Sequence, residues 1–424
     1  SDNGRSYSLA IGGPIANNIS IRIAGSKHSQ NGFRKNLFLD QDNTNGKDET
    51  LFRIKLNWSL KNDLNIYYIH KGHYLNNKYD AWAPDNNLAL STYSNRPGQD
   101  SQNSKTQALK IHFPNLFNFK TVYKFSNSKT DMIHSYDSDW GNDDLWGNAP
   151  YNYDSYYYGY YLAYDYFDQT NRYKNIQSNE LTFYSDKNLN LPFNSKMIFG
   201  FFKSNTNQGD VANGWLFGGA ATDLTSDFSI TNSAIYSNLN LNLNQSIELN
   251  INARYENHKI LYLSEVHNYG IPIQPIDTLK SDNFSGLNIT LKNNLSKALL
   301  LYGSISKGYK AGGINQHPSL NKSSRFYDPE YSLNFELGGR TSFKKINLNF
   351  AFFTMQRADI QVQISSQQVE NDPNSFTYYT SNSSSGYNNG FELESLIEIL
   401  PNLNFSSTFG FLNTFIKEFT YPVN

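Results

Sequence analysis

Apolar and polar residues alternate one for one along most of the chain. In SIELNINARYENH the apolar set is Ile247, Leu249, Ile251, Ala253 and Tyr255, interleaved with Glu248, Asn250, Asn252, Arg254 and Glu256. Just upstream, Leu239, Leu241 and Leu243 alternate with Asn238, Asn240, Asn242 and Asn244. KINLNFAFFTMQ puts Ile346, Leu348, Phe350 and Phe352 on one face, and LNFELGGRTSF sets Leu333, Phe335 and Leu337 against Asn334, Glu336 and Arg340. A period of two belongs to a strand with one polar and one apolar side. No comparable stretch has a helical period. The pattern predicts an all-β chain.

The connections fall into two unequal sets. Short turns rich in Asn, Pro and Lys occur at 13–18, 59–64, 113–118, 190–195, 242–246, 293–298, 343–347 and 399–404. Long polar stretches lie between them, near 31–49, 76–104, 138–173, 207–228, 258–282, 309–330 and 361–386. Short and long alternate strictly, so neighbouring strands run antiparallel, with tight turns at one end and long loops at the other. Eight turns imply about sixteen strands, read here as 9–14 residues each. That length crosses a bilayer at a tilt. The polar face carries too many Asn, Glu, Arg and Lys side chains for a packed core and is expected to line a wet lumen. The opposite face, apolar and rich in rings, suits lipid and its aromatic girdles. An unpaired strand edge in hydrocarbon costs several kcal/mol per unsatisfied group, so such a sheet must close. The expected fold is a transmembrane antiparallel β-barrel with short periplasmic turns and long extracellular loops.

Composition agrees and excludes alternatives. The hydrophobic fraction is only 38%, yet aromatics reach 15%, which is foreign to a disordered chain. A net charge of −1 gives no field for nucleic acid. The absence of cysteine removes disulfides and thiolate chemistry. There is no apolar run of transmembrane-helix length, and SDNGRSYSLAIGG has neither the basic nor the apolar region of a signal peptide. LYGSISKGYKAGGINQHPSL (301–320) has the lysines and glycines of a phosphate loop, but no helical period follows them. The stretch is expected to be the outer end of a strand bending into a loop.

Four segments together resemble one family. SYSLAIGGPIANNISIRIAGSKHSQNGFRKN (6–36) is similar to the first barrel hairpin of TonB-dependent outer-membrane receptors. LYGSISKGYKAGGINQ followed by FYDPEYSLNFELGGRTSF (301–343) resembles that family's mid-barrel signature. MQRADIQVQI (355–364) and SGYNNGFELESLIEILPNLNFSSTFGFLNTFIKEF (385–419) resemble the two hairpins that come next. The resemblance implies a 22-stranded barrel of which residues 1–424 supply about sixteen strands, with the N-terminal plug and the closing strands lying outside them. It implies energy-coupled import across the outer membrane, most often of a ferric siderophore or other iron complex, with cobalamin, haem or glycans as other cargo. The partners it implies are the small-molecule ligand, outer-membrane lipid and the TonB energy-coupling complex, reached through the plug. A passive porin is the alternative. No cofactor, enzymatic activity or nucleic-acid partner is expected.

Candidate chemistry concentrates in 136–166, where Trp140, Trp146, Tyr151, Tyr153, Tyr156 and Tyr158 stand among Asp137, Asp139, Asp143, Asp144 and Asp154. Rings beside acceptors can stack on a flat ligand and hydrogen-bond its rim. The competing reading is an interfacial girdle or loop packing. Asn315 and Gln316, in the stretch 309–330, complete the ligand-binding candidates. An EF-hand counted from Asp137 would need Gly and Glu where Asn142 and Asn148 stand, so that site is excluded. His70 and His73, three apart on a strand, point to opposite faces and cannot share an ion. Glu392, Glu394 and Glu398 fall on one strand face, where a solvated polar wall explains them better than a catalytic pair.

Overall fold

The computed structural model describes residues 2–115, 118–157, 160–185, 192–216, 219–268, 271–316, 320, 322–367 and 376–417. One sheet dominates it. Its sixteen strands begin with β1 (Arg5–Ala16), β2 (Ile19–Gln30), β3 (Lys47–Ser59), β4 (Asn65–Tyr79), β5 (Gly98–His112) and β6 (Phe119–Asp137). They continue through β7 (Phe167–Ser185), β8 (Lys196–Leu216), β9 (Gly219–Asn242), β10 (Ile247–Asn268) and β11 (Ile271–Ser296). The last are β12 (Leu299–Lys310), β13 (Glu330–Phe343), β14 (Ile346–Ala358), β15 (Ser385–Leu400) and β16 (Leu403–Ile416). Every strand pairs antiparallel with its neighbour in sequence, so the sheet is a plain up-and-down meander. Six of the eight expected short turns lie wholly among the described residues, all at one end of the sheet, while 113–118 and 190–195 fall partly outside them. Among the described residues, β1 and β16 are each paired on one side only.

The two faces differ as the alternation requires. On β10, Ile247, Leu249, Ile251, Ala253 and Tyr255 share a face with their partners Leu291, Ile289 and Leu287 on β11. Side chains of this face, such as Leu291, Ile305 and Phe352, stand about half exposed, as a lipid-facing surface would in water. The apolar band spans nine residues of β10, about 30 Å before tilt, close to the roughly 25 Å apolar belt of an outer-membrane barrel. The other face hydrogen-bonds across strands. Lys124 reaches Glu180, Tyr236 donates to Glu180, Tyr302 donates to Glu336, and Asn252 donates to both Asn250 and Asn288. His70 and His73 lie at positions of opposite parity on β4. Among the described residues, no helix is long and apolar enough to cross a membrane, a test that does not bear on strands.

Strand length departs from the expectation. The strands run from 12 to 26 residues. Two stretches expected to be loops, 207–228 and 258–282, are almost entirely strand: β8 to β11 continue far past the apolar band as two tall hairpins. The reason is physical. Above Tyr255 the outer face of β10 continues with Asn257 and Lys259 while Ile260 and Tyr262 are buried on the inner one, so apolar and polar residues change sides and the alternation fades while the backbone ladder persists.

In 361–386 the described residues also form strand, Gln361–Gln367 pairing antiparallel with Phe376–Asn382, and the other long stretches are mostly irregular. Loop 311–329 follows β12 as the 301–320 stretch suggests: Gly313 and Ile314 pair with Tyr327 and Phe326. A Cβ on Gly312 would strike the Tyr327 carbonyl, so that position demands glycine for close approach, while one on Gly313 would press on the end of the Tyr327 ring. The loop folds back over the polar face of the tall hairpins. Ile314 joins Ile260, Tyr262 and Ile276 in a small core, against which Phe228 and Ile230 pack.

Candidate functional site

The loop end carries two assemblies. The first joins loops 31–46, 80–97 and 138–166 through buried aspartates. Asp80 accepts from Asn36, Thr92 and Ser94 at 3.0, 2.7 and 3.1 Å, tying the first two loops. Arg96 donates to Asp165 at 2.8 Å, tying the second to the third. Asn142 caps the one-turn helix α1 (Asp143–Gly147) by accepting from the Leu145 amide, and its own amide donates to the Tyr93 carbonyl at 2.7 Å.

Asp137 and Asp139 shape the third loop from inside. The Asp137 carboxylate accepts from the amides of Asp139 and Trp140 at 3.2 and 3.0 Å, an Asx-type turn that leaves Trp140 at φ +61°. Asp139 accepts from the Gly141 amide, the Trp146 indole N–H and the Tyr166 amide at 2.9, 3.1 and 2.8 Å. Both lie beyond the apolar band and are buried. Burial, together with the neighbouring Asp139 charge, pushes the Asp137 carboxyl up to about 8. Burial raises Asp139 as well, against its three donors.

These turns sort the aromatic candidates into separate groups. Trp146 packs at 4.6 Å on both Tyr151 and Tyr164, and Tyr164 packs on Tyr153 at 4.9 Å and Tyr166 at 5.1 Å. That is a packed cluster with its indole N–H already used. Trp140 lies outside it, stacked on Trp82 at 5.9 Å and 26°, with the two rings 39% and 55% exposed. From Trp82 the aromatic surface continues down to the polar face: its indole N–H donates to Tyr79, which meets His134 at 5.3 Å, which meets Tyr136 at 6.0 Å. Tyr156 stands on a small separate hairpin, exposed, against Tyr161 at 6.1 Å. Tyr158 lies outside the described residues.

The second assembly holds Asn315 and Gln316. The Asn315 side chain donates to the carbonyls of Ser324 and Thr380 at 2.8 and 2.7 Å and accepts from the Thr380 amide at 2.9 Å. It bolts loop 311–329 to loop 359–384. Glu330 adds a buried anchor, accepting from Arg357 at 2.7 Å and from the Gln361 amide at 3.0 Å. Gln316 is half-buried beside this joint. Among the described residues, no group of three or more His, Asp or Glu side chains is placed to hold a metal ion.

The arrangement presents a strip of rings, Trp140, Trp82, Tyr79, His134 and Tyr136, running from the rim onto the polar wall. Such a strip can stack on a flat or ring-bearing molecule while leaving its polar edge to water and hydroxyls. Sequence reasoning named Trp140 and missed the other four. Trp82 was visible as the indole of AWAP within a long polar stretch, but nothing in the sequence pairs it with a residue 58 positions away.

Comparison with known proteins bears on the fold. The model of the TonB dependent receptor-like β-barrel family matches residues 57–423. The ferric yersiniabactin uptake receptor of Yersinia pestis superposes with a TM-score of 0.74 at 15% identity, covering 98% of this chain and 60% of its own. The ferric-catecholate import receptor of E. coli K12, in its closed form, gives 0.65 at 14% identity over 99% and 64%. A copper transporter gives 0.66 at 10% identity over 98% and 60%. No curated protein matches by sequence. At these identities the structures share the fold alone, and the chain spans about three-fifths of their length. The family is one of outer-membrane receptors and transporters. With 367 of its 424 residues under the family model, the chain belongs to the TonB-dependent receptor β-barrel family.

Proposed function

We propose that this chain is the ligand-capturing barrel of an energy-coupled outer-membrane importer, and that its cargo is a ferric siderophore or a similar iron complex. The observation that carries the reading is the strip of rings that descends from Trp140 onto the polar wall. It gives a ring-bearing ligand a surface at the mouth of a polar lumen. The uptake receptors similar in fold handle ferric yersiniabactin and ferric catecholates, which favours that cargo class over cobalamin, haem or glycans. On this reading the short turns face the periplasm and the loops face outward. The sixteen strands then form the greater part of a 22-stranded barrel whose lumen holds a plug that contacts the energy-coupling complex. The two sheet margins, β1 and β16, are free to pair with the remaining strands.

The test is uptake by cells whose sole copy is the full-length protein. Iron-complex uptake is expected to support growth under iron limitation and to stop when a protonophore collapses the inner-membrane gradient. Uptake that survives the protonophore would favour the porin reading.

A further inference from the structure

The strip of rings is flanked by charge of one sign. Asp100 stands directly opposite His134 across the β5–β6 ladder, its carboxylate 3.8 Å from the imidazole. Asp168 stands directly opposite Tyr136 across the β6–β7 ladder. Both aspartates are exposed on the polar face. The cations at this end of the sheet are committed elsewhere. Arg96 meets Asp165 at 2.8 Å, and Arg172 grips Asp210 through two nitrogens at 2.6 and 2.7 Å. In loop 31–46, Arg34 lies over the Phe33 ring and Lys35 meets Asp40. On β3, Lys47 shares its face with Glu49, and Lys78 and Lys105 take outer-face positions on β4 and β5. Lys174, opposite Thr130, sits about 13 Å further down the wall than His134.

Rings and carboxylates side by side favour the same kind of visitor. The face of an indole or phenol ring carries negative potential and attracts a cation, as a carboxylate does. Trp82 and Trp140 offer such faces at the rim, and Asp100 and Asp168 continue the same sign onto the wall. We infer that the strip selects a ferric complex whose edge carries a protonated amine, with Asp100 and Asp168 setting that preference, an inference that rests on the iron-complex reading above. Charge balance divides the iron complexes accordingly. Three hydroxamates cancel the ferric charge, so a pendant amine leaves the complex cationic. Three doubly ionised catecholates leave it strongly anionic, and it would meet two carboxylates where a counter-cation is needed. Like charges brought together in this way reject the wrong partner.

The experiment titrates the full-length protein in detergent, read by tryptophan fluorescence, with three probes. They are a linear ferric trihydroxamate ending in a free amine, the same complex N-acetylated, and a ferric tricatecholate. The acetyl cap removes the charge and little else. The free-amine complex is expected to bind about 2–30-fold tighter than its acetylated form, the worth of two exposed ion pairs, and the tricatecholate to bind weakest. Asp100→Asn with Asp168→Asn should remove that difference by weakening the free-amine complex alone. Raising salt to about 0.5 M should shrink the difference in the wild type, a measurement that needs no variant to fold. Equal wild-type affinities for the two trihydroxamates, or tightest binding of the tricatecholate, would overturn the charge preference and leave the iron-complex reading standing. A difference that survives the double substitution in folded protein would overturn the assignment to Asp100 and Asp168. Binding of none of the three probes would sink the iron-complex reading, and this inference with it.

Discussion

The loop end is built in two ways. The hairpins β8–β9 and β10–β11 rise as long ladders, each with one register shift near its top, with 22 residues in β10 and 26 in β11. The assembly of loops 31–46, 80–97 and 138–166 has little regular structure and hangs on a few buried carboxylates. In the hairpins, stability is spread over many equivalent backbone bonds, so no single side chain matters much. In the loop assembly it is concentrated. Asp139 alone satisfies two amides and an indole. The first design gives a stiff palisade. The second gives a shaped surface that presents Trp140 and Trp82 while committing Trp146 to packing.

Removing Asp139 should break that contrast most sharply. Asp139→Ala leaves three buried donors without a partner, each costing about 1–3 kcal/mol. Loop 138–166 is expected to lose its fold and become sensitive to protease added to intact cells, while the tall hairpins stay resistant. A loop as resistant as in the wild type would show that its order comes from the ring cluster instead. No single outward substitution on the hairpins, such as Leu279→Ser, should move stability by more than about 0.5 kcal/mol.

The smaller effect is one of pH. A buried carboxyl held near 8 in the folded loop, against about 4 in an unfolded chain, favours folding most below pH 4, where both forms are protonated. That contribution is lost progressively as pH rises from 4 through about 8. Amide exchange at Trp140 and Gly141 should therefore quicken over this window relative to the amides of β10, which carry no such group in their ladder. Asp137→Asn keeps the accepting oxygen and removes the ionisation, so it should flatten the profile. A wild-type profile already flat between pH 5 and 9 would assign Asp137 an ordinary carboxylate environment.

How much of this was legible differs between the two designs for the same physical reason. Alternation reveals a strand only where its two faces meet different surroundings. Inside the apolar band Leu249 and Asn250 do, and there the turns, the pairing and the all-β meander followed from the pattern. Past Tyr255 the faces change character, with Asn257 and Lys259 outside and Ile260 and Tyr262 buried inside under a loop, and the extension of β10 was mistaken for loop. The aspartate-held assembly was less legible still. Asp80 meets Asn36 at a separation of 44 residues, and Arg96 meets Asp165 at 69. Their residue types, Asp, Asn, Ser and Arg, are those of any solvated loop. The sequence showed that rings and carboxylates were plentiful in 136–166, but not which rings the carboxylates would hold inside.

That sorting sets the last and smallest expected effect on structure, and the most specific one on binding. Trp140 and Trp146 look equivalent by sequence, yet only Trp140 offers an exposed face, and its partner is Trp82. Replacing Trp82 and Trp140 together with Ala removes no buried hydrogen bond: the Trp82 indole contact to Tyr79 is long, at 3.4 Å, and exposed. Loop stability should therefore change by no more than about 0.5 kcal/mol, the range of ordinary surface substitutions. Ligand affinity should fall by more, since stacked rings add about 0.5–1.5 kcal/mol each beyond area burial. The pair together is worth about 1–3 kcal/mol, roughly 5–150-fold in Kd. Trp146→Ala should invert the pattern, loosening the loop by opening a hole between Tyr151 and Tyr164, with affinity lost only as far as the loop is lost. Titrating against both variants whichever ferric siderophore supports growth in the uptake test, with protease resistance of loop 138–166 measured alongside, separates the two outcomes. Equal losses of affinity and loop order in both variants would mean that the exposed and packed indoles act as one structural unit, and the strip of rings would cease to be a binding surface.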